Sequence, residues 1–314
     1  MATSTTMDVD SDKSPTPTGR IVIQKVAGRS AVTSIYARYP LKFIRPTKAV
    51  SSDIDAVWIY TVSYGGGIVS GDSVTCTMTI GEGCTAVLTT QASTKVYKSV
   101  GSKDSGQLLE AQVGRSALLA VLPDPVTCFS SARYSQKQVF YVASDSNLVL
   151  VDWLTSGRRM RGEIWDFELY KSTNNIYLEG NQPLFLDSTL LEQGAGLSVA
   201  DRMQAFHVVA MLVILGPKMA FIQNQVQAKI RERNTELFGR RSHSSNPNYK
   251  KGKLDIENKE SNEVLLASCS VFGPLDTGLV VRISATSTEL VYKFLREHLA
   301  SIEPFIGTSP YSRG

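Results

Sequence analysis

Histidine is scarce in this chain: three, His207, His243 and His298, among 314 residues. None stands in H-E-x-x-H, H-x-H or another compact ligand spacing, so no imidazole-based metal cage is written into the sequence. His207 falls in an apolar strand, where a hydrogen-bonded core imidazole is the ordinary reading. His243 falls in a polar stretch and His298 on a late helix, where a solvated ring and a helix-end contact are expected. There is no G-x-S-x-G elbow and no cysteine–histidine arrangement that points to nucleophilic catalysis. The four cysteines, Cys76, Cys84, Cys128 and Cys269, show no C-x-x-C spacing, and there is no N-x-[ST] sequon, which together indicate reduced, mostly buried thiols in a cytosolic protein.

Charge is also in short supply. Thirty-three basic against 29 acidic residues leave +4, dispersed along the chain, which argues against a nucleic-acid partner. The longest apolar run, 205–215, contains His207 and is about half of the roughly 20 residues a membrane span needs. The N-terminus has no basic segment followed by an apolar one, so it does not read as a secretory signal. Residues 1–19, rich in Ser, Thr, Asp and Pro, read as a disordered leader with little to bury. The remainder, 20–314, is long enough for a sizeable core and reads as a single domain.

The dominant hydrophobic period is two. Val74, Cys76, Met78 and Ile80 alternate with Thr75, Thr77 and Thr79, which predicts a half-buried strand. Similar runs predict strands near 56–62, 86–90, 108–113, 117–122, 138–143, 148–154, 164–170, 264–272 and 279–284. Helical periodicity enters late, over 218–238, with Gly216-Pro217 before it and Gly239 after it, and over 288–302, capped by Ser287 or Thr288. Between the first of these helices and the strand that follows it, residues 240–262 are polar, contain Pro247 and Gly252, and read as a mobile surface insertion. No fixed-period repeat is visible. Short strands separated by Gly, Pro, Asn and Asp imply a mainly β core, which periodicity alone leaves open between a coiled stack and a sandwich.

Four short blocks stand out. The first is Tyr64-Gly65-Gly66-Gly67-Ile68-Val69-Ser70-Gly71-Asp72. From Gly66 to Ser73 it has both glycines and the hydroxyl of a phosphate loop, but Asp72 occupies the lysine position. A carboxylate there repels phosphate, so nucleotide binding is rejected, and a tight turn needing φ > 0 or a close backbone approach is the simpler reading. The second is Thr89-Thr90-Gln91-Ala92-Ser93-Thr94-Lys95-Val96-Tyr97, in which Lys95 and Tyr97 share a face if the chain is extended. Leu122-Pro123-Asp124-Pro125 follows as a rigid strand terminus, its prolines Pro123 and Pro125 fixing φ. Last come Gly157-Arg158 and Gly162-Glu163, with Arg159 and Arg161 completing a cationic cluster.

In order and spacing these blocks resemble the urease accessory protein family UreD, called UreH in some organisms. The resemblance implies a coiled, β-helix-like stack of short strands with two α-helices packed near the C-terminal half. It implies a cytoplasmic maturation factor without turnover of its own, with a UreF-type accessory protein, a UreG-type GTPase and the urease apoprotein as partners. It implies no tightly bound cofactor, only transient passage of Ni²⁺ toward the urease centre. Asp72, Asp124 and Glu163, hard oxygen ligands inside the matching blocks, are the candidates for that route. The alternative for each is structural: Asp72 and Asp124 bonding turn amides, Glu163 pairing with Arg158 or Arg161. Gly65, Gly66, Gly67, Gly71, Gln91, Lys95, Tyr97, Pro123, Pro125, Gly157 and Gly162 are expected to shape turns, and Arg158 to be a partner contact. Without the resemblance, a β-rich interaction scaffold unrelated to urease, or an enzyme assembled from dispersed acids, fits the same composition.

Overall fold

A computed structural model describes residues 17–46, 54–194, 196–242 and 263–312. The chain winds between two facing sheets. One carries β1 (Gly19–Val26), β2 (Arg29–Ala37), β5 (Ser73–Ile80), β8 (Ser105–Val113), β11 (Arg133–Val142), β13 (Leu169–Leu178) and β14 (Gln182–Glu192). The other carries β3 (Leu41–Ile44), β4 (Val57–Ser63), β6 (Thr85–Thr90), β9 (Leu118–Leu122), β12 (Asn147–Thr155), β15 (Val208–Leu215), β16 (Leu265–Phe272) and β17 (Gly278–Ala285). From β4 to β13 the path alternates between them, and neighbours from successive coils pair in parallel, β5 with β8 with β11 with β13 and β4 with β6 with β9 with β12. The architecture is the coiled stack.

Each coil must return its chain to register, and the coils differ in length. Register partners lie 29 residues apart from Val57 to Ala86, 33 from Thr85 to Leu118, 29 from Leu118 to Asn147 and 36 from Arg133 to Leu169. That variation explains why no fixed repeat is visible in the sequence.

Burial follows from what covers each sheet. The inward faces meet over Ile21, Ile59, Cys76, Met78, Ile80, Leu119, Phe140, Leu148 and Leu150. The first sheet leaves its outer face to solvent, so β5 alternates apolar with threonine. The second is covered by α2 (Ala220–Ser242) and α3 (Thr288–Leu299), through Ile222, Val226, Ile230, Val291, Phe294, Leu295 and Leu299. β12 is therefore buried on both faces and reads as a continuous apolar run, the pattern of a covered parallel strand. Two short helices, α1 (Val199–Met203) and α4 (Glu303–Ile306), complete the α-helices among the described residues. The Trp58 indole N–H donates to the Ile306 carbonyl at 2.7 Å and ties α4 to β4.

Several expectations are corrected. Residues 164–168 form no strand: Trp165 takes a left-handed φ of 54° with its side chain buried, and β13 starts only at Leu169. The helix expected over 218–238 begins at Ala220 after a 3₁₀ turn at Pro217–Met219 and continues to Ser242, so Arg240 to Ser242 are helical. The rest of the polar stretch, 243–262, lies outside the described residues, as do residues 1–16 of the leader. Thr18 and Gly19 already belong to the fold, since the Thr18 hydroxyl accepts from the Thr75 amide at 3.1 Å.

Candidate functional site

The four sequence blocks stack on one another at a corner of the coil, between the two sheets. Ile68 of the glycine block bridges in parallel to Val96; β7 (Thr94–Val96) pairs with β10 (Val126–Cys128), and β10 with the end of β12. The Ile68 amide donates to the Lys95 carbonyl at 2.8 Å, and the Tyr97 amide to the Ile68 carbonyl at 2.9 Å. Tyr97 donates its hydroxyl to the Gly65 carbonyl at 3.2 Å and packs edge-on against Phe129, ring centroids 5.1 Å apart. Arg158 lies over the same Phe129 ring, its guanidinium 3.8 Å from the centroid.

The glycines serve two different ends. Gly65, Gly66 and Gly71 have φ of 77°, 75° and 82°, the left-handed turn that favours glycine. Gly67 does not: its φ of 172° is extended, and a Cβ there would lie 2.6 Å from the Lys95 carbonyl oxygen and 2.7 Å from the Tyr97 ring. Its role is close approach between coils. Gly157 (φ 125°) is pressed against the Glu163 and Cys128 carbonyls, while Gly162 (φ 80°) closes the turn over Arg159–Arg161.

The three acids expected to line one route sit in different environments. Asp72 accepts the Val69 amide at 2.9 Å through its carboxylate and closes the glycine turn. Glu163 engages the Arg158 guanidinium with both carboxylate oxygens, and this pairing holds its carboxyl below the ordinary value. Arg158 is accordingly committed to Phe129 and Glu163. Asp124 is different. It accepts from Tyr292 at 2.7 Å and from Thr90 at 3.2 Å, while its amide donates to the Thr90 hydroxyl at 2.8 Å. Pro123 beside it accepts from Trp153 and Tyr311, and the Pro125 carbonyl accepts the Thr94 amide, so the Pro-Asp-Pro turn is fixed from three sides. Gln91 is exposed at the mouth of the cleft that reaches Asp124.

Asp124 faces a cavity of about 120 Å³ between the sheets, and a second carboxylate, Asp152, lines the same space. Asp152 sits on β12 and projects inward with Leu148 and Leu150, by the alternation of the strand. It accepts from Gln136 at 2.6 Å, Ser172 at 2.5 Å and Asn174 at 2.7 Å. Burial pushes its carboxyl above the ordinary value against the pull of these three bonds. Tyr134 and Tyr170 extend the network through Gln136, their phenols raised by burial. Asp152 also lines the next cavity, about 230 Å³, where Asp187 pairs with Arg282 at 2.6 Å. Three adjoining cavities thus present Asp124, Asp152 and Asp187 in turn. Asp152 and Asp187 are not among the sequence candidates. The signal was one charge inside Leu148-Val149-Leu150-Val151-Asp152-Trp153-Leu154, where a carboxylate needs partners to be buried.

Among the described residues no group of three or more His, Cys, Asp or Glu is gathered to hold a metal ion, and no helix is long and apolar enough to cross a membrane. Cys76, Cys84 and Cys128 are buried free thiols and Cys269 a half-buried one.

The fold and its corner define a β-coil scaffold with a polar, carboxylate-bearing interior. The chain matches the UreD urease accessory protein family over residues 17–313. It is 55% identical over 295 residues to urease accessory protein D of Arabidopsis thaliana, covering 94% of this chain and 99% of that protein. It is 54% identical over 301 residues to urease accessory protein D of Oryza sativa subsp. indica (94% and 95% covered) and 34% identical over 295 to urease accessory protein UreD of Anaeromyxobacter sp. (94% and 88%). The chain belongs to the UreD family of urease accessory proteins, and its role lies in urease maturation.

Proposed function

We propose that this chain acts as a nickel-insertion scaffold in the cytoplasm. It binds the urease apoprotein together with UreF-type and UreG-type accessory proteins, and supports passage of Ni²⁺ to the urease centre without turnover of its own. The observation that supports this reading is the succession of Asp124 and Asp152 along adjoining cavities, with Asp187 beyond them held by Arg282. Hard cations take oxygen ligands, and a site with one carboxylate and neutral amide or hydroxyl neighbours holds a divalent ion weakly. A conduit requires that weakness, because a closed cage would retain the ion. Asp124 keeps its place in the proposed route. Asp72 and Glu163 give theirs up, one to a turn and the other to Arg158, and Asp152 takes over as the central carboxylate.

The test is the nickel content and specific activity of urease purified from cells with and without this gene, partners intact. Abundant, nickel-poor, inactive urease in its absence, restored by the intact chain, is the expected result. Normal nickel-loaded urease in its absence overturns the reading and leaves a β-rich interaction scaffold with no part in nickel delivery.

A further inference from the structure

A second concavity lies on the outside of the corner, away from the carboxylate interior. It is a cleft of about 500 Å³ walled by the Gly157–Arg161 turn, the strand end Thr155-Ser156 and the N-terminus of α3 at Ser287-Thr288. Its chemistry is opposite in sign to the internal cavities: Arg158, Arg159, Arg161 and His207 line it, and among the described residues no carboxylate does. Glu163 neutralises Arg158 from outside the cleft, which leaves the charge of Arg159 and Arg161, both exposed, facing no lining acid. Arg159 is tethered to the helix entrance by a 3.4 Å bond from its guanidinium to the Thr286 carbonyl.

Two polar atoms in this wall have no partner among the described residues. Ser156 is 1% exposed, yet its hydroxyl makes no hydrogen bond, and the buried Nδ1 of His207 makes none either. Their backbones are fully used: the Ser156 amide donates to the His207 carbonyl at 2.7 Å and the His207 amide to the Ala285 carbonyl at 2.9 Å. A buried hydroxyl left without a partner costs stability unless something meets it. A twelve-residue helix adds the partial positive charge of its N-terminus on the far side, with Ser287 as its cap.

We propose that this cleft is a binding site for a phosphate group, recognised by Arg159 and Arg161 with the Ser156 hydroxyl, the His207 ring and the start of α3 around it. Two guanidinium groups match a dianionic tetrahedral oxyanion, which planar forks engage in pairs. The cleft is wider than one phosphate, so the group is taken either as the free ion or as part of a small phosphorylated metabolite. This site is independent of the nickel route, since none of the three interior carboxylates lines it.

The experiment is calorimetric titration of the full-length chain with inorganic phosphate and, separately, with 5′-AMP, at constant ionic strength. Saturable one-site binding of either supports the site; phosphate alone identifies the free ion as sufficient, and 5′-AMP alone places the group on a larger molecule. Arg159→Gln or Arg161→Gln is expected to weaken binding about tenfold, the loss of one charge-assisted bond. In the unaltered chain, the His207 ring resonance should shift on addition of ligand while that of His298, near the C-terminal end of α3, stays. No saturable binding of either probe, binding unaffected by both arginine changes, or an unmoved His207 resonance at saturation overturns the proposal.

Discussion

Arg158 rests its guanidinium 3.8 Å above the ring of Phe129 while closing a two-point ion pair with Glu163, and Phe129 also meets the Tyr97 ring, so the second and fourth sequence blocks are joined through an aromatic residue belonging to neither. A cation over a ring face contributes about 0.5–1 kcal/mol at a partly exposed site. A double-mutant cycle with Phe129→Leu and Arg158→Gln, followed by urea unfolding, should return a coupling of that size, and additive effects would deny the contact. Charge reversal at Arg158 is a poor probe of partner binding for the same reason, because it sets two carboxylates against each other and disturbs the turn itself.

The glycine block separates two reasons for glycine, and asparagine distinguishes them. At Gly65, φ is 77° and nothing lies within 4 Å of where a Cβ would stand, so Gly65→Ala costs about 1–2 kcal/mol from backbone strain and Gly65→Asn less. At Gly67 the backbone is extended but the space is filled by the Lys95 carbonyl and the Tyr97 ring. There, Gly67→Ala and Gly67→Asn should both destabilise, by about 1–3 kcal/mol or more, because two coils must separate. Denaturation midpoints of the four variants decide it; relief by Asn at position 67 would show that the space opens without cost.

Much of this architecture is legible in the sequence where one face of a strand meets water. β5 announces itself by Val74, Cys76, Met78 and Ile80 because the opposite threonines are solvated. β1, β2 and β14 are not among the expected strands: β2 is a sheet edge whose side chains are largely exposed, and on β14, the other edge, the solvent face carries Leu186 and Leu190, which blurs the apolar–polar alternation. The segment 164–168 misleads in the other direction. Trp165 and Phe167 are apolar because they fill the corner core from a loop, and apolarity alone does not distinguish a loop from a strand. Of the candidate acids, only Asp124 reaches the interior. Asp152 lies outside the four blocks and so carries no family signal, although its setting in an apolar run is a stronger physical signal than theirs.

The interior carboxylates give the third prediction. Asp152→Asn places an NH₂ group where one oxygen now accepts from Ser172 and Asn174, at a cost of about 1–3 kcal/mol. If Asp152 holds Ni²⁺ in passage, urease matured with this variant should be several-fold poorer in nickel even where the soluble amount of the chain equals that of the unaltered protein. Asp124→Asn should act likewise. Asp72→Asn, which retains an oxygen for the Val69 amide outside the cavities, should mature urease normally. Full nickel loading with both interior variants would remove these carboxylates from the route.

The last prediction concerns acid stability and His298. This ring is 6% exposed, stacks on Phe294 with centroids 3.8 Å apart, and shares a 2.8 Å contact between Nδ1 and the Phe294 carbonyl, which the neutral ring satisfies by donating from Nδ1. Burial lowers its pKa from 6.5, the Phe294 carbonyl works against that shift, and Lys229 and Arg233 on α2 oppose a positive charge. Glu297 pulls the other way but does not reverse the direction. The unfolded chain therefore takes up a proton near pH 6.5 that the folded chain refuses, so the stability this ring contributes is complete above that value and falls as pH falls below it. His207, lowered in the same direction by burial and by Arg159, adds to the slope. Urea midpoints measured from about pH 7.5 down to about pH 5.5 should decline, and His298→Phe, which keeps an aromatic ring against Phe294 and cannot titrate, should flatten the decline by roughly one proton's share. An unchanged slope in that variant would assign the acid sensitivity to His207 instead.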